Sequence, residues 1–170
     1  MEDKIIEGLA YALPALVTGG VAYFILSAFI KQDNNEKKFN ALIQKKKESL
    51  PIKLQAYERM LLFCERINPT KLLVRVNPIG NKTEDYLQLL IASIEQEFEH
   101  NLVQQLYISD NSWKAVLTSK LAIIAKLRKV AESSETSKDL RENVLIDYSK
   151  EENPTEMVVT FLKQDVKKLL

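Results

Sequence analysis

The chain is poor in the residues that close turns, cross-link folds and build metal sites. Its 170 residues include four glycines and five prolines, and two of the glycines, Gly19 and Gly20, lie inside an apolar run. That leaves too few breakers for a turn-rich β protein. One cysteine, Cys64, excludes an intramolecular disulfide. It reads as a small buried apolar residue in a reducing compartment. There is no Gly-rich phosphate loop, no nucleophile-plus-histidine motif and no paired-cysteine site. No catalytic set emerges, so the protein reads as a non-enzyme, and no cofactor is expected. The 24 lysines and arginines nearly balance 23 acids, so charge is informative only locally.

Charge is missing altogether from Gly8 to Ile30, a run of 23 residues. As a helix this is about 34 Å long, enough to cross a hydrocarbon core of roughly 30 Å. The start is acidic and the run is too long for a cleaved signal peptide. The expectation is a transmembrane anchor over 1–31. Gly8, Ala12, Ala15, Gly19 and Ala22 are spaced 4, 3, 4, 3, which places five small residues on one face for a membrane partner or a second copy. Lysines concentrate after the run, including Lys37, Lys38, Lys45, Lys46 and Lys47. The positive side stays inside, so the N-terminus is expected outside and the C-terminal domain in the cytoplasm.

Residues 32–50 read as a basic juxtamembrane helix with Phe39, Leu42, Ile43 and Leu50 as a narrow apolar stripe. Its lysines are positioned to meet anionic lipid headgroups. A solvated stalk that continues the span, or a mere orientation signal, fits the same residues. Pro51 suits the first turn of a new helix, and the domain is expected to fill 51–170. Asn68-Pro69 ends that helix and caps a short one.

Thr83 reads as the N-cap of a helix with Leu87, Leu90, Ile91, Ile94, Phe98 and Leu102 on its apolar face. A turn at 109–111 opens another, lined by Trp113, Val116, Leu117, Leu121, Ile124 and Leu127. The first helix carries five acids and no lysine or arginine from Glu84 to Tyr107; the second carries five lysines and arginines and no acid from Asn111 to Ala131. The short turn implies an antiparallel hairpin over 83–131, with Glu95 and Glu99 set against Lys120 and Lys126. A charge-matched hairpin accounts for the bases better than a nucleic-acid surface, and no nucleic-acid partner is expected. Ser137 and Asn153 read as caps of two further helices. The fold class is all-α: the anchor, then a bundle of about five helices.

The densest polar stretch is EFEHNLVQQLY. Glu97 and His100 have the Glu-x-x-His spacing of a di-iron ligand pair, but the single histidine leaves such a site short of ligands. Asn101 and Gln105 continue the apolar stripe and are expected to face the core, with the polar tips of Tyr107, Trp113 and Tyr57 within reach. Buried amides need hydrogen bonds, so this end of the bundle is the candidate pocket.

YERMLLFCERINPTKLLVR and EFEHNLVQQLYISDNSWKAV resemble an uncharacterised family of short membrane-anchored Bacteroidota proteins. The resemblance runs over nearly the whole chain. It implies a small single-pass protein facing the cytoplasm of a double-membraned bacterium, and it carries no activity or site residue. The reading that follows is an accessory or scaffold subunit of an inner-membrane assembly. The competing reading is a membrane-anchored domain that senses a ligand or metal.

Overall fold

The computed structural model describes the backbone of residues 2–150 and 153–170, and the side chains of 14, 16–150 and 153–170. Among the described residues six α-helices follow in order: α1 (Glu2–Ile67), α2 (Pro69–Arg75), α3 (Thr83–Asn101), α4 (Asp110–Glu132), α5 (Ser137–Lys150) and α6 (Pro154–Leu169). A 3-10 segment, Leu102–Leu106, joins α3 to the α4 turn. The described residues form no strand, only an isolated bridge between Lys82 and Thr136. The protein is all-α.

The chain divides into two compact units, 1–49 and 50–170. In the first, α1 is unbroken, and every described side chain from 16 to 30 is exposed. Among the described residues no helix is long and apolar enough to cross a membrane. The anchor expected over Gly8–Ile30 therefore gains no support from them. Its first part, the side chains of 8–13 and 15, lies outside the described residues. From Leu16 to Ile30 an uncharged helix reaches only about 22 Å before Lys31 and Asp33 begin the charged stretch. The expected break at Pro51 is also corrected, because the helix runs through it. Proline there removes one helical hydrogen bond, and an exposed position leaves the freed carbonyl of Lys47 to water.

The second unit is a helical bundle. Caps set its boundaries. Asn68 Oδ1 accepts from Thr70 N–H and Asn153 Oδ1 from Thr155 N–H, each just ahead of a proline in the first turn. Ser109 Oγ accepts from Ser112 N–H at the start of α4. Two expected caps fall elsewhere. Thr83 is already helical, and its hydroxyl donates to the Ser134 carbonyl. At α5 the cap is Thr136 rather than Ser137: Asp139 N–H donates to Thr136 Oγ1, and Thr136 N–H donates back to Asp139 Oδ2. This reciprocal pair satisfies two otherwise orphaned donors. Ser137 instead donates to the Gly80 carbonyl and ties the 77–82 loop to α5.

The core gathers Met60, Phe63, Leu72, Leu73, Leu90, Ile94, Val116, Ile123, Leu127, Leu140 and Val144, all under 2 % exposed. Helix α3 packs against α4, as the charge pattern implies, and both touch α5; α4 also packs extensively on α6. That second partner widens the buried arc of α4. Ser112, Ser119, Lys120 and Ile123 are buried alongside the expected Val116, Ile124 and Leu127, while Leu121 is 60 % exposed, so the buried side of α4 is wider than one apolar stripe and leaves Leu121 out. Lys120 Nζ meets Glu95 at 2.7 Å, as expected. Lys126 instead lies 4.3 Å above the Tyr148 ring, and Glu99 is exposed.

Candidate functional site

Glu97 is three residues after Ile94 on the buried side of α3, so its carboxylate is carried inward; the residue is 8 % exposed. A buried carboxylate needs charge-matched donors. Arg66, in the last turn of α1, donates to both oxygens at 2.8 and 3.1 Å. Arg75, in the last turn of α2, donates to Oε1 at 2.6 Å and to the Arg66 carbonyl at 3.3 Å. One carboxylate thus joins the ends of three helices. Burial pushes the Glu97 carboxyl up, but hydrogen bonds from Arg75 and Arg66, with their charges, outweigh this and hold it below its ordinary 4.5.

This arrangement takes Glu97 away from the role its spacing suggests. Its oxygens are held by two guanidiniums, and His100 is exposed. Among the described residues no group of three or more histidine, cysteine, aspartate or glutamate side chains is placed to hold a metal ion. The expected amide pocket does not assemble either. Asn101 is half-buried, and its Nδ2 donates to the Glu97 carbonyl one turn back. Gln105 is exposed and Tyr107 is 40 % exposed. The reason is the change of helix type at Leu102. A 3-10 helix turns about 120° per residue instead of 100°, so the stripe of α3 does not continue, and no residue of Leu102–Leu106 is buried. Trp113 is half-buried and stacks on Phe98, with ring centroids 5.5 Å apart. It packs and does not line a polar cavity.

A second polar cluster has no counterpart in the sequence reading. Asp165 Oδ2 accepts from Ser109 Oγ, from Ser112 Oγ at 2.6 Å and from Tyr57 O–H at 3.4 Å. Tyr57 Oη in turn accepts from Ser109 N–H at 3.3 Å. This fastens α6 to the start of α4 and to α1. Burial again pushes the Asp165 carboxyl up, and the Ser109 and Ser112 hydrogen bonds, the Lys168 charge and Tyr57 bring it below its ordinary 3.8. Both clusters carry one legible signal. Glu97 follows Ile94 by three residues and Asp165 follows Leu162 by three, so each acid interrupts an apolar stripe. Their partners, on other helices, have no such mark.

Both carboxylates have lowered values, so the sign of their pH dependence is fixed. Each contributes stability above its unfolded value, and that contribution is lost as pH falls through the lower folded value. Urea denaturation should show stability declining once pH drops below about 4.5. The decline should be shallower in Glu97→Gln and Asp165→Asn; equal slopes in all three proteins would contradict the assignment.

Cys64 is 1 % exposed in the core. Burial, with the Glu65 charge beside it, pushes its thiol up to about 12, so it holds almost no thiolate at neutral pH. Ellman's reagent should leave the native protein unlabelled and titrate one thiol after denaturation; rapid native labelling would contradict this placement.

Of the small-residue face, Gly19 and Ala22 are exposed, and nothing lies within 4 Å of a Cβ built on Gly19. The side chains of Ala12 and Ala15, and Gly8, lie outside the described residues. Lys37 pairs with Asp33 at 2.7 Å, one turn away. Lys38, Lys45, Lys46 and Lys47 are exposed. A family model described as a family of unknown function (DUF7935) matches residues 3–169. No curated protein and no solved structure is matched.

Proposed function

Since the chain belongs to a family of unknown function (DUF7935), we propose from its own residues that it is a membrane-anchored, non-enzymatic scaffold subunit. In this reading it sits in the inner membrane of a bacterium with its bundle in the cytoplasm. The carrying observation is the uncharged run Gly8–Ile30 followed by a lysine-rich segment. The exposure of every described side chain from 16 to 30 supports it, because apolar groups left uncovered by their own chain call for lipid or a partner. Gly8, Ala12, Ala15, Gly19 and Ala22 form the face that takes a partner helix in lipid.

The continuity of α1 refines the role of the lysines. An unbroken helix cannot span a bilayer and also lie flat on it. Lys37 and Lys38 are about 10–12 Å beyond Ile30 along the axis, and Lys45, Lys46 and Lys47 about 22–26 Å. The screening length is about 8 Å in physiological salt. Headgroup contact therefore belongs to Lys31, Lys37 and Lys38, and the outer three lysines face solvent or protein. No observation favours the ligand- or metal-sensing reading, since Glu97 is already fully engaged.

The test has two parts. Alkaline carbonate washing should leave the full chain in the membrane pellet; release into the supernatant would refute the anchor. A photoreactive residue at Gly19 should give a discrete crosslinked adduct in cells, and its absence would refute the scaffold role of this face.

A further inference from the structure

Among the described residues Ile79 is the most exposed large apolar side chain, at 91 %. It stands in the loop between α2 and α3, and that loop is tied down on both sides of it. Ser137 Oγ donates to the Gly80 carbonyl at 2.6 Å, and Ser137 N–H donates to the Asn81 carbonyl at 3.1 Å. Arg141 donates to Asn77 Oδ1 at 3.0 Å. A lone apolar residue on a surface is ordinary. One presented by a fastened loop cannot fold back to leave water, so relief has to come from outside the chain. Beside it lies a groove of about 520 Å³ between the loop and α3. Asp85, Leu89 and Ala92 line this groove at helical spacing along α3, with Tyr86 and Gln88. Leu89 is half-buried and Ala92 exposed, so the groove offers apolar surface to a side chain such as isoleucine.

One surface therefore carries both a protruding apolar group and a recess that accepts one. Its charges repeat the arrangement. Asp85 lines the groove, and Lys82 lies outside the lining, three residues earlier at the N-cap of α3. Both are exposed, and among the described residues neither forms an ion pair. The neighbouring charges are engaged elsewhere: Glu84 lines a separate cleft with Arg128 and Glu132, and Arg141 is held by Asn77. A different protein would need only one half of each contact here. A two-fold contact sets the same surface against itself, each residue meeting a different one on the other copy. Such a contact requires both halves on one surface, and both are present.

We infer that this surface joins two copies of the chain across a two-fold axis. Ile79 of each copy enters the other's groove beside Leu89 and Ala92, and Lys82 of each meets Asp85 of the other. The inference goes beyond the scaffold reading, because it holds whether or not the uncharged run meets lipid.

Disulfide trapping on the full chain in mild detergent tests it. Ile79→Cys and Ala92→Cys are made in separate chains, one carrying a size tag, then mixed and oxidised with copper–phenanthroline. Cys64 stays silent because it is buried. A mixed dimer of the two variants should form. Ile79→Cys mixed with Ile146→Cys, which is 50 % exposed on α5, should give about tenfold less. Lys82→Glu placed in both trapped chains should lower the yield severalfold, and Asp85→Lys added to it should restore the yield, since the exchanged charges meet again. Should that double variant melt early, the trapped pair and its α5 control decide alone. No mixed dimer above the control, or a well-folded double variant as poor as Lys82→Glu, overturns the proposal. A Gly19 adduct without the mixed dimer would sink this interface alone. The mixed dimer without the adduct would sink the membrane-face reading alone.

Discussion

Replacing Arg66 and Arg75 together by leucine should destabilise the bundle by about 3–5 kcal/mol, while Glu97→Leu alone should cost about 1 kcal/mol or less. The asymmetry follows from exposure. The side chains of Arg66 and Arg75 are 58 % and 43 % exposed, and that of Glu97 is 11 % exposed. Without Glu97 the two guanidiniums turn to water, and a leucine of similar size fills the site among apolar neighbours. Without the arginines a carboxylate is left desolvated and unpaired. It must then either take up a proton or be drawn to the surface, and both weaken the packing of α1, α2 and α3. The triple variant should recover most of the loss, because removing the acid removes the unpaired charge. Chemical denaturation of the four proteins checks this. An equal cost for the acid and for the arginine pair would mean that the cluster acts as a surface ion pair, where contributions are small.

Phe63→Ala should cost about 3–5 kcal/mol and lower the melting temperature by about 10–20 °C. Phe63 is 1 % exposed and lies against Phe98, with centroids 6.0 Å apart and rings tilted at 59°. Phe98 in turn stacks on Trp113 and carries Lys120 Nζ 4.2 Å above its ring. Truncation removes the transfer energy of the ring and opens a cavity beside Phe98, which also stacks on Trp113. The fluorescence of Trp113, the sole tryptophan, should shift in the native state of the variant. Leu121→Ala is the contrast: the side chain is 60 % exposed, so the change should stay within about 0.5 kcal/mol. A large effect at Leu121 would mean that it is buried with Val116, Ile124 and Leu127, as its place in the apolar pattern suggests.

Periodicity places side chains reliably where a helix meets a single core. On α3 one apolar stripe meets one core: Leu87, Leu90 and Ile94 are buried as spaced, with Ile91 and Phe98 partly buried against the core. Helix α4 packs on α3, α5 and α6, so its buried arc exceeds one stripe and takes in Ser112, Ser119 and Lys120. A single apolar stripe marks only part of the buried side of such a helix. The candidate site failed for a related reason. Gln105 aligns with the core only if α-helical spacing continues past Asn101, and the 3-10 segment from Leu102 ends that register.

The sequence by itself determined the all-α class, the caps at Asn68 and Asn153, the turn that opens α4, the antiparallel pairing of α3 with α4, and the Glu95–Lys120 contact. Each depends on residues near in sequence or on net charge along one helix, which local physics reads directly. Tertiary structure alone decided that Glu97 is bound by two arginines, that Asp165 fastens α6 to Tyr57 and Ser112, and that Ser119 is buried without a hydrogen-bond partner. Those outcomes join residues 22 to 108 positions apart or depend on which helices lie side by side. Which side chain meets a buried acid is set by how whole helices pack, and no periodicity within one helix encodes that.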